Sequence, residues 1–293
     1  MTKFNHYSSL YIEFKKHELK DSTFDKYSKI VENRIDPVFG ERDIKEIRPS
    51  DIKKWLYSID DVGAKSKRHY LGVLSGIFQE ALYDEFIDRN PVRLVKLPKY
   101  EKPSIDPFTA DEVLRIMNSC EDNNFKYYVA IAFYTGMRSG EIIGLKKLDI
   151  DFDNRIINVT RSRNQYGETT PKTKYSIREI PIIDLLYPYL IEIYNQNDHE
   201  YLFVTQYNKP YIDTQVFHNH YWPPLLEKLN IPHRRLYNTR HTFATNMLYK
   251  NLVTPIQLAQ LLGHANTEMV YNVYVNYIEQ NYSNFKRSIS IYT

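Results

Sequence analysis

Apolar residues recur at helical spacing through most of the first hundred positions. Ser22 is placed to cap a helix over Thr23–Ile35, with Pro37 and Gly40 ending it. Ser50 is placed to cap the next, in which Ile52, Trp55, Leu56 and Ile59 make one apolar stripe. A longer helix is expected over Ala64–Phe86, turning Tyr70, Val73, Leu74, Ile77, Phe78, Ala81 and Leu82 toward a core. Asp88-Arg89-Asn90-Pro91 breaks that pattern. The stretch Leu97–Pro107 then holds Pro98, Pro103 and Pro107 among charges with no apolar period, as a linker would. A helical domain over 1–96, a linker over 97–107 and a second domain over 108–293 are the expected organisation.

Past the linker, Thr109-x-x-Glu112 has the form of a capping box. A largely apolar helix over Phe125–Tyr134 meets a stop at Gly136. Alternating segments at Arg155–Arg161 and Tyr175–Ile182, separated by a polar turn around Gly167, predict a β-hairpin. Helices are expected over Asp184–Tyr194 and Thr214–Leu229, with a short strand at Tyr201–Thr205 between them. Thr254-Pro255-Ile256-Gln257 supplies a cap, a proline at the first helical position and a glutamine at the third, and Gly263 is placed to end that helix. The fold class is mainly α with a small β-hairpin or sheet, an α+β chain.

Composition narrows the function classes. The 293 residues, 42% of them hydrophobic, suffice for a sizeable core. The single Cys120 excludes an internal disulfide and fits a reducing compartment. No apolar run nears the roughly 20 residues of a membrane span, and Met1–Leu10 is too polar for a signal peptide. A soluble, cytoplasmic protein with no membrane partner is expected. Lys and Arg number 39 against 36 Asp and Glu, a net +3 too small to indicate nucleic acid by itself. A DNA-binding face would come from a local patch such as Lys65, Lys67 and Arg68, whose plainer reading is a solvated helix start.

Several chemistries lose their support. His218-x-His220 puts two imidazoles on different helix faces with no cysteine or Glu-x-x-His nearby, so no metal site is expected. There is no Gly-x-Gly-x-x-Gly, no Gly-Lys-Ser/Thr loop and no Gly-x-Ser-x-Gly elbow. A dispersed polar set stands out instead. It comprises Thr135-Gly136-Met137-Arg138-Ser139-Gly140-Glu141, Pro171-Lys172-Thr173, Tyr237-Asn238-Thr239-Arg240-His241, Leu261-Leu262-Gly263-His264 and Tyr274. Each alone has a bland explanation: Arg138 and Glu141 as a structural ion pair, His264 as a helix-end cap, Lys172 as a hairpin surface charge.

Together they resemble the catalytic domain of the tyrosine recombinases, the phage-integrase family. The resemblance falls in family order on Arg138, Glu141, Lys172, Arg240, His241, His264 and Tyr274, and the helical N-terminal part resembles the family's core-binding domain. Two departures stand out. The first histidine of the family's His-x-x-Arg-His box is Tyr237 here, and the nucleophile's usual place, nine residues after Leu-Gly-His, is Val273. Glu268-Met269-Val270-Tyr271-Asn272-Val273-Tyr274 favours Tyr274 as the nucleophile, with Tyr271 and Tyr277 as alternatives.

The resemblance implies a site-specific DNA recombinase that clamps duplex DNA between two domains and works through a 3′-phosphotyrosyl intermediate and a Holliday junction. It implies no cofactor, a monomer off DNA and a homotetramer in synapsis, with accessory DNA-bending or directionality proteins as further partners. Arg138, Arg240 and His264 would grip the phosphate, because a planar, permanently charged fork suits two non-bridging oxygens. Glu141 would hold Arg138, Lys172 (or Lys174) would protonate the 5′ oxygen, and Tyr237 would donate a hydrogen bond to the phosphate. A tail after Tyr274, with Ile289, Ile291 and Tyr292, would dock on a neighbouring protomer. The helical domain begins almost at Met1, where related integrases often carry an arm-binding module, and either a natural absence or a trimmed chain would account for that. A non-catalytic DNA-binding regulator and a type IB topoisomerase are the competing functions.

Overall fold

The computed structural model describes residues 2–96, 100–101, 104–169 and 174–274. The chain divides into two compact units, Met1–Pro103 and Ser104–Thr293.

In the first unit, α1 (Phe4–Glu18) and α2 (Asp21–Ile30) are followed by a wide π turn over Val31–Ile35 and a last helical turn, α3 (Asp36–Phe39). Pro37 does not end the helix as the sequence suggested. It sits in the first turn of α3, where a missing N–H costs nothing. Ser22 is likewise no cap, since α2 begins one residue earlier. The next helix, α4 (Pro49–Ser58), starts on a proline, and the Asp51 carboxylate rather than Ser50 satisfies the free Arg48 N–H at 3.0 Å. The long α5 (Ala64–Tyr83) turns Val73, Leu74, Ile77, Phe78 and Ala81 into a core with Phe4, Ile35, Phe39, Ile52 and Trp55. Asn90 closes the unit, donating to the Ser75 carbonyl at 2.9 Å and accepting from the Val92 N–H at 3.1 Å. Lys65, Lys67 and Arg68 lie in the first turns of α5, with Lys65 and Arg68 exposed.

The second unit opens with α6 (Ala110–Ser119), and its capping box is present: Thr109 Oγ accepts from the Glu112 N–H at 3.2 Å, and Glu112 accepts from the Thr109 N–H at 2.8 Å. Its central element is α7 (Asn123–Thr135), apolar nearly all round and therefore buried. After the short α8 (Ser139–Ile143) come β1 (Ile150–Asp151), β2 (Ile156–Val159), β3 (Ser162–Asn164), β4 (Gly167–Thr169) and β5 (Arg178–Pro181). β2 pairs antiparallel with β5, as the hairpin pattern implied, in a register that sets Ile157 opposite Ile180, with β1 on the other edge of β2. The hairpin's outer part is a separate two-stranded sheet, β3 with β4, which the polar composition of 162–169 concealed.

The helices α9 (Tyr187–Asn195), α10 (Trp222–Lys228), α11 (Asn238–Tyr249), α12 (Pro255–Leu262) and α13 (Glu268–Tyr274) complete the unit. Tyr201–Thr205 forms no strand. It makes only isolated bridges, Lys146 with Tyr201 and Val204 with Pro210, and its apolar residues fill the core as an extended loop. Residues just after the unit boundary are tied to α11. The Phe108 N–H donates to Thr242 Oγ at 2.9 Å, Asn238 donates to the Asp106 carbonyl at 2.9 Å, and Arg234 pairs with Asp106 at 2.6 Å. No helix among the described residues is long and apolar enough to cross a membrane.

Candidate active site

Three arginines converge on the C-terminal end of α12. The Arg178 Nε donates to the Leu261 carbonyl at 2.6 Å, Arg240 Nη2 to Leu262 at 2.7 Å, and Arg138 Nη2 to Gly263 at 3.3 Å. These carbonyls have no acceptor role left inside the helix and carry the negative end of its dipole. Thr254 and Gln257 fix the far end of α12 with a reciprocal cap, and Gly263 ends it in the left-handed region at φ +67°. A side chain there would be strained and would crowd Arg178 Nη1, 3.1 Å from a built Cβ.

Arg138 is delivered by the end of α7. Gly136 turns the chain at φ +63°, so close to Phe243 that a Cβ would lie 2.5 Å from its ring. Arg138 thus becomes the residue preceding α8, and Glu141 accepts from its N–H at 2.9 Å and its Nη1 at 2.8 Å. Glu141 is 4% exposed and is gripped from its other side by Arg178, whose two terminal nitrogens reach its oxygens at 3.2 and 2.8 Å. Burial pushes the Glu141 carboxyl up, but the Arg178 hydrogen bonds and charge, with that of Arg138, outweigh it and hold the group below the usual range. Glu141 is therefore ionised.

Arg240, on α11, is 2% exposed and also donates Nη1 to the Gly136 carbonyl at 2.7 Å. Among the described residues no carboxylate is paired with it. Burial is the main reason that its guanidinium falls to about 10, still fully charged at neutral pH. His264 faces it, with Nε2 3.0 Å from Arg240 Nη2. A guanidinium cannot accept, so Nε2 must, and the proton of a neutral ring sits on Nδ1. Burial, then the charges of Arg240, Arg138 and Arg178, push this imidazole down to about 4, which keeps it neutral. Its buried Nδ1–H has no hydrogen-bond partner among the described residues. Among the described residues, three guanidiniums against one carboxylate leave a concentrated positive charge with an unsatisfied donor at its edge, which suits an oxyanion.

Tyr237, just before α11, is 41% exposed and meets the His241 ring edge-on at 5.2 Å between centroids. His241 in turn has its Nδ1 2.9 Å from the Tyr274 hydroxyl. Tyr274 is 2% exposed in a small core of Phe243, Ala244, Leu258, Leu262 and Val270. Burial raises its phenol above the ordinary value, and the Arg240 charge opposes that rise. Tyr271, one turn earlier, is 46% exposed.

Of the residues singled out in the sequence, Arg138, Glu141, Arg240 and His264 share one hydrogen-bonded cluster, and Tyr237, His241 and Tyr274 form a contiguous chain beside it. Lys172, Tyr277 and the tail residues Ile289, Ile291 and Tyr292 lie outside the described residues, as do 97–99 and 102–103 of the linker. Lys174 opens a short 3₁₀ turn before β5. Lys65, Lys67 and Arg68 belong to the first unit. No group of three or more histidine, cysteine or acidic residues among those described is placed to hold a metal. Arg178 was not anticipated, although one signal was available: it shares a strand face with Ile180, and a charge in register with a core residue is buried and partnered.

Comparison with known proteins places the chain in a family. The phage integrase family matches residues 107–281, and the phage integrase N-terminal SAM-like domain matches 3–59. A tyrosine recombinase XerC-like protein of Caldanaerobacter subterraneus is 27% identical over 90% of this chain and 76% of its own length. The transposase of transposon Tn916 from Enterococcus faecalis is 28% identical over 81% of this chain and 65% of its own. The same fold occurs in the Tn1549 transposon integrase complexed with circular intermediate DNA, at TM-score 0.77, 22% identity and coverage of 92% of this chain and 94% of that one. It also occurs in a lambda integrase tetramer on a Holliday junction, at TM-score 0.75, 20% identity and coverage of 92% and 79%. The chain belongs to the phage integrase family: it is a tyrosine recombinase, an enzyme of site-specific DNA recombination.

Proposed function

We propose that the arginine cluster binds the scissile phosphate of duplex DNA and that Tyr274 attacks it. The attack gives a 3′-phosphotyrosine and a free 5′ hydroxyl, and the covalent bond conserves the energy needed to rejoin a strand. What carries this reading is the convergence of Arg138, Arg178 and Arg240 on three successive carbonyls, with the donor of His264 beside them unpaired among the described residues. Arg138, Arg240 and His264 act on the non-bridging oxygens, while Glu141 and Arg178 keep Arg138 in place. The first unit, with Lys65, Lys67 and Arg68 on α5, contributes phosphate contacts that fix register without reading sequence. The named complexes of the two structural relatives support DNA as the partner and a homotetramer as the synaptic assembly.

The test is covalent capture. The protein is incubated with a pool of nicked duplexes of randomised sequence, so that a cleaved strand is lost and the adduct trapped. Sequencing the trapped DNA yields the site. Failure to form any adduct would reject the reading, and adducts without sequence preference would indicate a topoisomerase.

Two further outcomes are expected on the selected duplex. Lys172→Ala should cripple cleavage of ordinary DNA yet recover when the 5′ leaving oxygen is replaced by sulfur, which needs no proton. Equal impairment on both substrates would reassign Lys172 to phosphate binding. Tyr237→Phe should slow cleavage by on the order of tenfold to a thousandfold, the lower end allowing for a transition-state donor that is partly exposed, and Tyr237→His should restore part of it. An unchanged rate for Tyr237→Phe would leave its ring with a packing role against His241 alone.

A further inference from the structure

We infer that His241 is a catalytic residue, the base that takes the proton from the nucleophilic hydroxyl of Tyr274, an inference that rests on the proposed role of Tyr274. The position where a histidine would be expected is occupied by Tyr237, so this site lacks an imidazole there. His241 lies one helical turn further along α11, on the same face and in contact with the Tyr237 ring. Its Nδ1 is 2.9 Å from the Tyr274 oxygen, hydrogen-bonding distance for a proton transfer.

The surroundings call for such a base. At 2% exposure the phenol has little access to water that could carry its proton away. Among the described residues, the charged and titratable groups around the pair include Tyr237, just before α11, and Arg240 on it, with Arg138, Arg178, Glu141 and His264 forming the cluster about Arg240. None of the carboxylates or neutral bases among these has a hydrogen bond to the Tyr274 hydroxyl, whereas His241 does. The positive charge of Arg240 favours the phenolate once the proton has left.

The step balances simply. The bond from Tyr274 Oη to phosphorus forms, its proton passes to His241 Nδ1, the bond from phosphorus to the 5′ oxygen breaks, and Lys172 protonates that oxygen. Accepting at Nδ1 requires the ring to carry its own proton on Nε2. During rejoining the flow reverses, and the imidazolium returns the proton to the departing phenol.

The experiment is single-turnover adduct formation on the nicked duplex selected by covalent capture, with sulfur at the 5′ bridging position so that only the nucleophile's proton matters. In the parent protein the rate should rise with pH through the titration of an imidazole and then level off. His241→Asn keeps a hydrogen-bond partner near the Nδ1 position but cannot take a proton. It should be slower by about a hundredfold or more at neutral pH, and its rate should keep rising into the alkaline range as the phenol ionises unaided. Added imidazole should restore part of the activity of His241→Gly, which a packing role would not allow. Duplex binding by native gel shift serves as the control for folding in each variant. A parental rate and pH profile in His241→Asn would overturn the proposal. So would a faster rate, which would make His241 a latch that holds the tyrosine back. Adduct formation by Tyr274→Phe would instead defeat the nucleophile assignment itself, and the two failures are separate readings of the same gels.

Discussion

Tyr274→Phe is expected to form no covalent adduct with a nicked duplex while binding that duplex about as well as the parent. The hydroxyl is the only atom removed, and the ring keeps its place among Phe243, Leu258, Leu262 and Val270. The structural cost is the lost hydrogen bond to His241, about 1 kcal/mol, so the thermal midpoint should move by only a few degrees. Tyr271 is the described competitor. Residues three apart lie roughly 60° apart around a helix, which places Tyr271 on the solvent side, whereas Tyr274 faces His241. Tyr271→Phe should therefore cleave at the parental rate. A phosphopeptide mapped to Tyr271 or Tyr277, or an adduct from Tyr274→Phe, would move the assignment to another tyrosine.

Local rules made the ends of the site legible. The caps at Thr109 and Thr254 and the turns at Gly136 and Gly263 depend on residues within a few positions of each other, and all four are as the sequence implied. So Arg138 and His264 could be placed beside their helix ends before any tertiary contact was known. What stayed hidden depends on partners far along the chain. Arg178 acts on Glu141, 37 positions away, and on a carbonyl 83 away, and a lone arginine in a strand carries no mark of either. His241 touches Tyr274 across 33 positions, so its nearness to the hydroxyl could come only from the packing of α11 against α13. Weak local signals misled in a different way. Ser22, Ser50 and Pro37 are good punctuation, yet α2 begins one residue before Ser22, Asp51 serves the start of α4, and a π turn carried the helix past the expected stop. Tyr201–Thr205 has strand composition, but no edge is offered to it beyond single bridges. Composition reports burial there rather than pairing.

Arg240→Met is expected to reduce adduct formation on the order of a thousandfold or more while leaving the fold nearly as stable as before. The guanidinium supplies two donors in a dry setting, and removing a single preorganised donor already costs about a hundredfold to a thousandfold. The stability side is a balance of opposing terms. The Gly136 and Leu262 carbonyls would lose their donors, each worth about 1–3 kcal/mol when left buried and unpaired. Against that, the variant is relieved of a charge that burial disfavours, in line with the lowered guanidinium value, and that no described carboxylate pairs with directly. Met fills much of the same volume. A residue held at such a cost without a fixed counter-charge fits a site whose missing partner is an anion. Inorganic sulfate or vanadate should therefore raise the melting temperature of the parent, since a ligand that binds only the folded state stabilises it by mass action. Arg240→Met should show no such rise. Cleavage within tenfold of the parent would make Arg240 a structural tie between Gly136 and Leu262, and an equal anion effect in both proteins would place the phosphate elsewhere.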